Sequence, residues 1–194
     1  MKQLKQLLSK ECSYQLRDEI MDQFISSMEE ITLHQGDILI ADGSLDSNIY
    51  IVKEGIMAHT YLSGAKDCCW GFSLPGTMMY SLHPYYFNKP AFYQVIACCD
   101  SVVMKQSKER FDNLIAESHE FARWVLSMAQ CQLFFFEKKN SVISGDARER
   151  FISLAKNRPE IFQKVPMKII ASYLGIKQQY ISNLKKEYKK LIYG

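Results

Sequence analysis

The chain has 194 residues, 47% of them hydrophobic, and carries 24 Lys and Arg against 21 Asp and Glu for a formal charge of +3. That length and apolar content can bury one domain of ordinary size plus a small one, and they exclude a disordered chain. No apolar run approaches a membrane span, and the N-terminal MKQLKQLLSKECSYQLRDEI interrupts its apolar positions with Lys, Glu and Arg, unlike a signal peptide; a cytoplasmic protein with no membrane partner is expected.

In chain order, Leu4, Leu7, Leu8, Leu16, Ile20 and Phe24 recur near helical spacing and predict one or two short amphipathic helices. From Glu30 to about Lys105 the texture changes to short β-prone runs separated by turn signals: HQGD at 34–37, ADGS at 41–44, KEG at 53–55, SGAK at 63–66, LPG at 74–76 and NKP at 88–90. Strands are expected at Asp37 to Ala41, Asn48 to Glu54, Ile56 to Leu62, Cys68 to Leu74, Tyr93 to Cys99 and Ser101 to Gln106. Their close, regular spacing argues for an antiparallel barrel or jelly roll. Six Cys, at 12, 68, 69, 98, 99 and 131, include two adjacent pairs and no CxxC, so they read first as small apolar fillers in a reducing compartment.

After Ser107, KERFDNLIAESHEF reads as a short helix and 120–140 as a long one. Phe121, Trp124, Val125, Met128, Cys131, Gln132 and Phe135 are spaced by three and four along it, a stripe expected to meet a second copy of itself. Phe134 and Phe136 lie off that stripe, which predicts apolar neighbours on a further side, the chain's own barrel. SGDA at 144–147 opens a new helix through Asn157, and the boundary between domains 1–143 and 144–194 is placed there.

Pro166 to Tyr188 reads as a helix-turn-helix. Pro166 suits the first helical position, Ile169, Ile170, Ala171, Tyr173 and Leu174 fall at helical spacing, and Gly175 supplies the turn. Ile176, Ile181 and Leu184 hold the second helix against the first. Lys177, Gln178, Gln179, Ser182, Asn183 and Lys186 face outward, where Gln and Asn suit adenine edges and Lys and Ser suit phosphates. Lys164 to Gly194 contains seven Lys and one Glu, so the positive charge is concentrated where a polyanion would bind. A surface hairpin with a solvated face explains any one of these features; their joint spacing favours double-stranded DNA.

The order of short helix, roll, long helix and C-terminal helix-turn-helix resembles the CRP/FNR family of bacterial transcription regulators, over nearly the whole chain. The segment ITLHQGDILIADGSLDSNIYIVKEGIMAHTYL carries the family's turn glycines as Gly36, Gly43 and Gly55, and DARERFISLAKNRPEIFQKVPMKIIASYLGIKQQYISNLKK is similar to the DNA-binding end of short members from the Bacteroidetes group. The resemblance implies an α+β fold: a cyclic-nucleotide-binding-domain-like β-roll, a dimerisation helix and a helix-turn-helix. It also implies a homodimer on a palindromic operator, with RNA polymerase as a further partner. Members that bind cyclic AMP have a Gly-Glu and an Arg-Ser or Arg-Thr pair in the roll; here those positions read Tyr80-Ser81 and Pro90-Ala91. Lys89 is the only formal cation between Pro75 and Ala91, a segment that carries Met78 and Met79 beside Tyr80, so the pocket suits an apolar guest or its own side chains. The effector is unassigned, cyclic AMP is not expected, and no cofactor or metal is predicted. The N-terminal cysteine cluster of the iron–sulfur branch is missing, and the chain stops soon after the recognition helix, with little or no room for the family's β-hairpin wing.

Two other classes compete with this reading. A cupin-like metal enzyme needs converging His and Glu, but His34, His59, His83 and His119 form no HxH pair and no catalytic constellation stands out. A redox-responsive regulator would need one Cys from each of Cys68-Cys69 and Cys98-Cys99 to meet across the roll.

Overall fold

A computed structural model describes residues 2–11, 13–64, 66–143 and 145–193. Helices α1 (Lys2–Glu11) and α2 (Asp18–Ser26) precede strands β1 (Glu29–Leu33), β2 (Ile38–Ile40), β3 (Ile49–Glu54), β4 (Met57–Ser63), β5 (Lys66–Ser73) and β6 (Met78–Met79). After α3 (Leu82–Phe87) come β7 (Gln94–Ala97) and β8 (Ser101–Gln106), then α4 (Lys108–Glu117) and the long α5 (His119–Ile143). The C-terminal helices are α6 (Ala147–Asn157), α7 (Pro159–Lys164), α8 (Met167–Leu174), α9 (Gln178–Glu187) and α10 (Lys189–Tyr193).

Among the described residues the strands form two four-stranded antiparallel sheets, ordered β1-β8-β3-β6 and β2-β7-β4-β5. Both are apolar on both faces. In β3, Ile49, Tyr50, Ile51 and Val52 are all buried: Tyr50 and Val52 pack between the sheets with Leu33, Met57, Val95 and Val103, while Ile49 and Ile51 point to the other side. Successive strand side chains alternate, so a continuous apolar run requires cover on both faces. The first sheet is covered by the N-terminal helices, α4 and α5, through a ring cluster of Phe24, Phe111, Phe121 and Trp124 with centroids 5.0–6.1 Å apart. The second is covered by α6–α10, which pack Phe151, Phe162, Ile170 and Leu174 in one cluster with Ile56, Ala58, Cys69 and Cys98 of the roll.

This last contact also closes a sheet edge. β5 is an edge strand, and the α8 hydroxyl of Ser172 accepts from the Cys69 amide at 2.8 Å and donates to the Asp67 carbonyl at 2.8 Å. A side chain thus stands in for a missing strand. Tyr173 packs on Phe72 with ring centroids 4.8 Å apart, and Lys168 reaches the Asp67 carboxylate at 2.8 Å. The ion pair is largely exposed and contributes little, so apolar contact and the hydroxyl bridge carry the docking.

Expected and observed strands agree to within two residues at each end, and β8 matches at both. β1, β6, α3, α7 and α10 were not anticipated. β1 begins with two Glu and is mostly exposed at a sheet edge, which hides its alternation, and β6 is only two residues long. Pro166 is the N-cap, with extended ψ of 135°, not the first helical residue.

His59 lies inside the roll against Trp70 and Tyr93, with Nε2 on the Ser73 hydroxyl at 2.8 Å and Nδ1 without a hydrogen-bond partner, and burial pushes its pKa down to about 4. The unfolded histidine titrates near 6.5, so its contribution to stability is complete above that pH and is lost as pH falls to about 4, on the order of 2 kcal/mol. In urea titrations at pH 7 and pH 4.5, His59→Gln should lose less stability between the two pH values than the parent; an equal loss would refute the assignment. Ser172→Ala should leave the Cys69 amide and the Asp67 carbonyl without that bridge, at a cost of about 1 kcal/mol, and so speed exchange of the Cys69 amide about fivefold. Unchanged hydrogen exchange across 66–73 would show that the edge is closed by other means.

Candidate nucleic-acid interface

The helix-turn-helix is built by its apolar positions. Ile170, Ala171 and Leu174 of α8 and Ile181 and Leu184 of α9 are buried in one cluster, and the small Ala171 lets the helices approach. Gly175 ends α8 in the left-handed region at φ 67°, where the Ile176 amide returns to the Ala171 carbonyl at 3.0 Å. A side chain would strain this turn. Lys177 then caps α9 in extended conformation.

Burial of Ile181 and Leu184 turns the other face of α9 to solvent. Lys177, Gln178, Gln179, Asn183 and Lys186 are all exposed. Ser182 departs from expectation: its hydroxyl points back to Met167 Sδ at 3.2 Å and to the Gln178 carbonyl at 3.3 Å. Tyr180, 40% exposed beside Gln179, also belongs to the outward face and is not among the residues expected there. Glu187, the one carboxylate on α9, is held by the Arg148 guanidinium of α6, which also donates to the Tyr188 hydroxyl at 2.8 Å. Arg148 reaches it because Asp146 and Glu149 form a capping box that fixes the start of α6. The outer face of α9 is therefore cationic at both ends with amides between, the donor and acceptor set that suits phosphates and base edges.

The long helix α5 has two faces, and one expectation about it is corrected. Phe121, Trp124 and Met128 are fully or almost fully buried in the chain's own core, with Val125 and Cys131 packed beside them, and Gln132 donates to the Met78 carbonyl at 2.5 Å. That stripe is spent inside the chain, and of the set expected to meet a partner only Phe135 is exposed. A second stripe, Ala122, Leu126, Ala129, Leu133 and Phe136, is spaced by four and three about 120° around the helix. Leu126 and Leu133 are 59% and 60% exposed, and Phe136 also stacks on Trp70 of the roll, centroids 5.6 Å apart. Both stripes have the same period; the one richer in rings fills the core.

The residues expected to line an effector pocket do not converge. Met79 and Ala91 lie in the core between the sheets, Met78 and Tyr80 pack in the cluster outside the first sheet, and Ser81 is the buried N-cap of α3. Burial pushes the Tyr80 phenol up to about 12. Pro90 is exposed, with its carbonyl 2.6 Å from His83 Nδ1. Cys69 sits on β5 and Cys98 just past the end of β7, the two strands that flank β4; both are free thiols, and burial raises the pKa of Cys98. Cys12 lies outside the described residues. Among the described residues no three His, Cys, Asp or Glu gather to hold a metal ion, and no helix is long and apolar enough to cross a membrane.

No family model and no curated protein matches the sequence. Solved structures do match in fold. FixK2 from Bradyrhizobium japonicum superposes with a TM-score of 0.70 at 15% identity, covering 84% of this chain and 85% of its own. The c-di-GMP responsive global regulator CLP from Xanthomonas campestris gives 0.69 at 12% identity, covering 90% and 92%. The catabolite activator protein of Thermus thermophilus gives 0.57 at 14%, covering 95% and 87%. Its two-sheet roll, long helix and C-terminal helix-turn-helix give this chain the α+β fold of the CRP/FNR-type regulators.

Proposed function

We propose that this chain is a transcription regulator that binds double-stranded DNA as a homodimer, with α9 entering the major groove. The observation that carries the proposal is the division of α9: Ile181 and Leu184 are buried, while Lys177, Gln178, Gln179, Asn183 and Lys186 stand exposed in a segment of net charge +6. Residues 144–194 form the DNA-binding unit and 1–143 the sensory roll with its dimer helix. The fold shared with regulators of gene expression supports this reading.

A single helix-turn-helix makes few base contacts, so two-fold pairing on half-sites about 34 Å apart is the economical arrangement. The exposed Leu126, Leu133 and Phe136 stripe of α5 is the surface this proposal gives to the dimer. Cyclic nucleotides have no part in it. Enclosing a phosphate requires a cation or dense donors, and Lys89, the one cation between Pro75 and Ala91, is exposed.

Gln179→Ala should relax base preference at one operator position by about 1–3 kcal/mol, whereas Lys177→Ala or Lys186→Ala should weaken binding to all sequences and lower the salt slope by roughly one unit each. Operator selection followed by fluorescence anisotropy on selected and random duplexes at several salt concentrations measures both; equal loss on both duplexes for Gln179→Ala would exclude this docking. Leu133→Glu should place like charges across the two-fold axis and give monomers in sedimentation, while a dimer that survives the change would remove α5 from the interface.

A further inference from the structure

A groove of about 440 Å³ is lined by residues of α1, the roll and α7. Its apolar floor is Leu7 of α1, Ile56 just before β4, and Leu74 and Pro75 in the turn after β5. Three cations converge on its rim from two parts of the chain: Lys10 from the last turn of α1, Arg158 from the α6–α7 junction and Lys164 from the end of α7. Glu160 is the one carboxylate in the lining. None of the three cations takes part in an ion pair among the described residues.

The walls are fixed by close packing. A Cβ on Gly76 would lie 3.0 Å from Leu7 Cβ and 3.3 Å from the Leu7 backbone, so α1 is pressed onto the turn that carries Leu74 and Pro75. Gly55, at φ 89°, lets the chain pass over Ser101, where a Cβ would fall 2.1 Å from the hydroxyl. Arg158 closes α6 and opens α7, which holds its backbone between two helices. Surface cations that serve only solubility are interspersed with carboxylates, whereas here three positive charges surround an apolar floor with one negative charge among them.

We propose that this groove binds a small amphipathic anion: an acid group, as carboxylate, phosphate or sulfonate, carried on an apolar or aromatic body. The acid group is held by Lys10, Arg158 and Lys164, and the body covers Leu7, Ile56, Leu74 and Pro75. The volume matches a small organic ligand. An inorganic anion would leave the floor wet, and a neutral hydrocarbon would leave the cations without a partner. The ligand touches both the roll with α1 and α7 of the C-terminal helices, so its binding favours the arrangement in which they are docked. The assignment is independent of the DNA reading of α9.

The probe is 1-anilinonaphthalene-8-sulfonate, titrated by fluorescence into the full chain, with N-phenyl-1-naphthylamine as the same ring system without the acid. One sulfonate should bind per chain, and the neutral amine about tenfold more weakly. The variant Lys10→Gln, Arg158→Gln, Lys164→Gln should weaken the sulfonate about tenfold or more and leave the amine unchanged. Glu160→Gln should tighten the sulfonate, an effect that a loss of folding does not imitate. Equal affinity for sulfonate and amine, or an unchanged sulfonate affinity in the triple variant, would overturn the proposal. So would a triple variant that loses affinity for random duplex DNA while its sulfonate binding stays intact, which would make these residues phosphate contacts.

Discussion

Both sheets of this roll carry apolar residues on their outer as well as their inner faces, and the rest of the architecture answers that constraint. Water on the outer face of the second sheet would meet Ile56, Ala58 and Phe72, and at about 25 cal/mol per Å² of apolar area such exposure costs several kcal/mol. The C-terminal helices remove it, at the price of fixing where α8, and with it α9, stands relative to the roll. Ser172 completes the cover by supplying β5 with a donor and an acceptor at the edge where no further strand pairs.

The long helix α5 works under the same constraint from the other side of the molecule. Its aromatic stripe fills the space over the first sheet, with Phe121 and Trp124 locked among Phe24 and Phe111, and this leaves Leu126, Ala129 and Leu133 to face outward. Phe136 lies where the two duties meet, half exposed and stacked on Trp70. One helix thus serves the core of its own chain and presents a second surface, and the two differ in residue volume rather than in period.

Much of this was readable in the sequence because local chemistry decided it. Gly175 had to be left-handed between two amphipathic helices, Asp146 had a capping partner three residues on, and the strands between Asp37 and Gln106 were bounded by turn residues. What was not readable depended on contacts between distant segments. Ser182 reads as a phosphate ligand in sequence, but its hydroxyl turns back to Met167, and the outward place of Tyr180 follows only once Ile181 and Leu184 orient α9. The inward stripe of α5 was mistaken for the outward one because periodicity reports that a face is apolar and not what lies against it. Lys10 lies far along the chain from Arg158 and Lys164, and the three form no motif; only the fold brings them to one groove.

The shared cluster between the C-terminal helices and the second sheet also limits how the molecule can move. A hinge that swung α6–α10 away from the roll would uncover Ile56, Ala58, Cys69, Phe162 and Ile170 at once. Sliding keeps them covered: small translations of α8 along β5 exchange one apolar neighbour for another while the face stays dry. Any change in the aim of α9 in the intact chain therefore proceeds by shear, through slips of about a side chain's width rather than by opening.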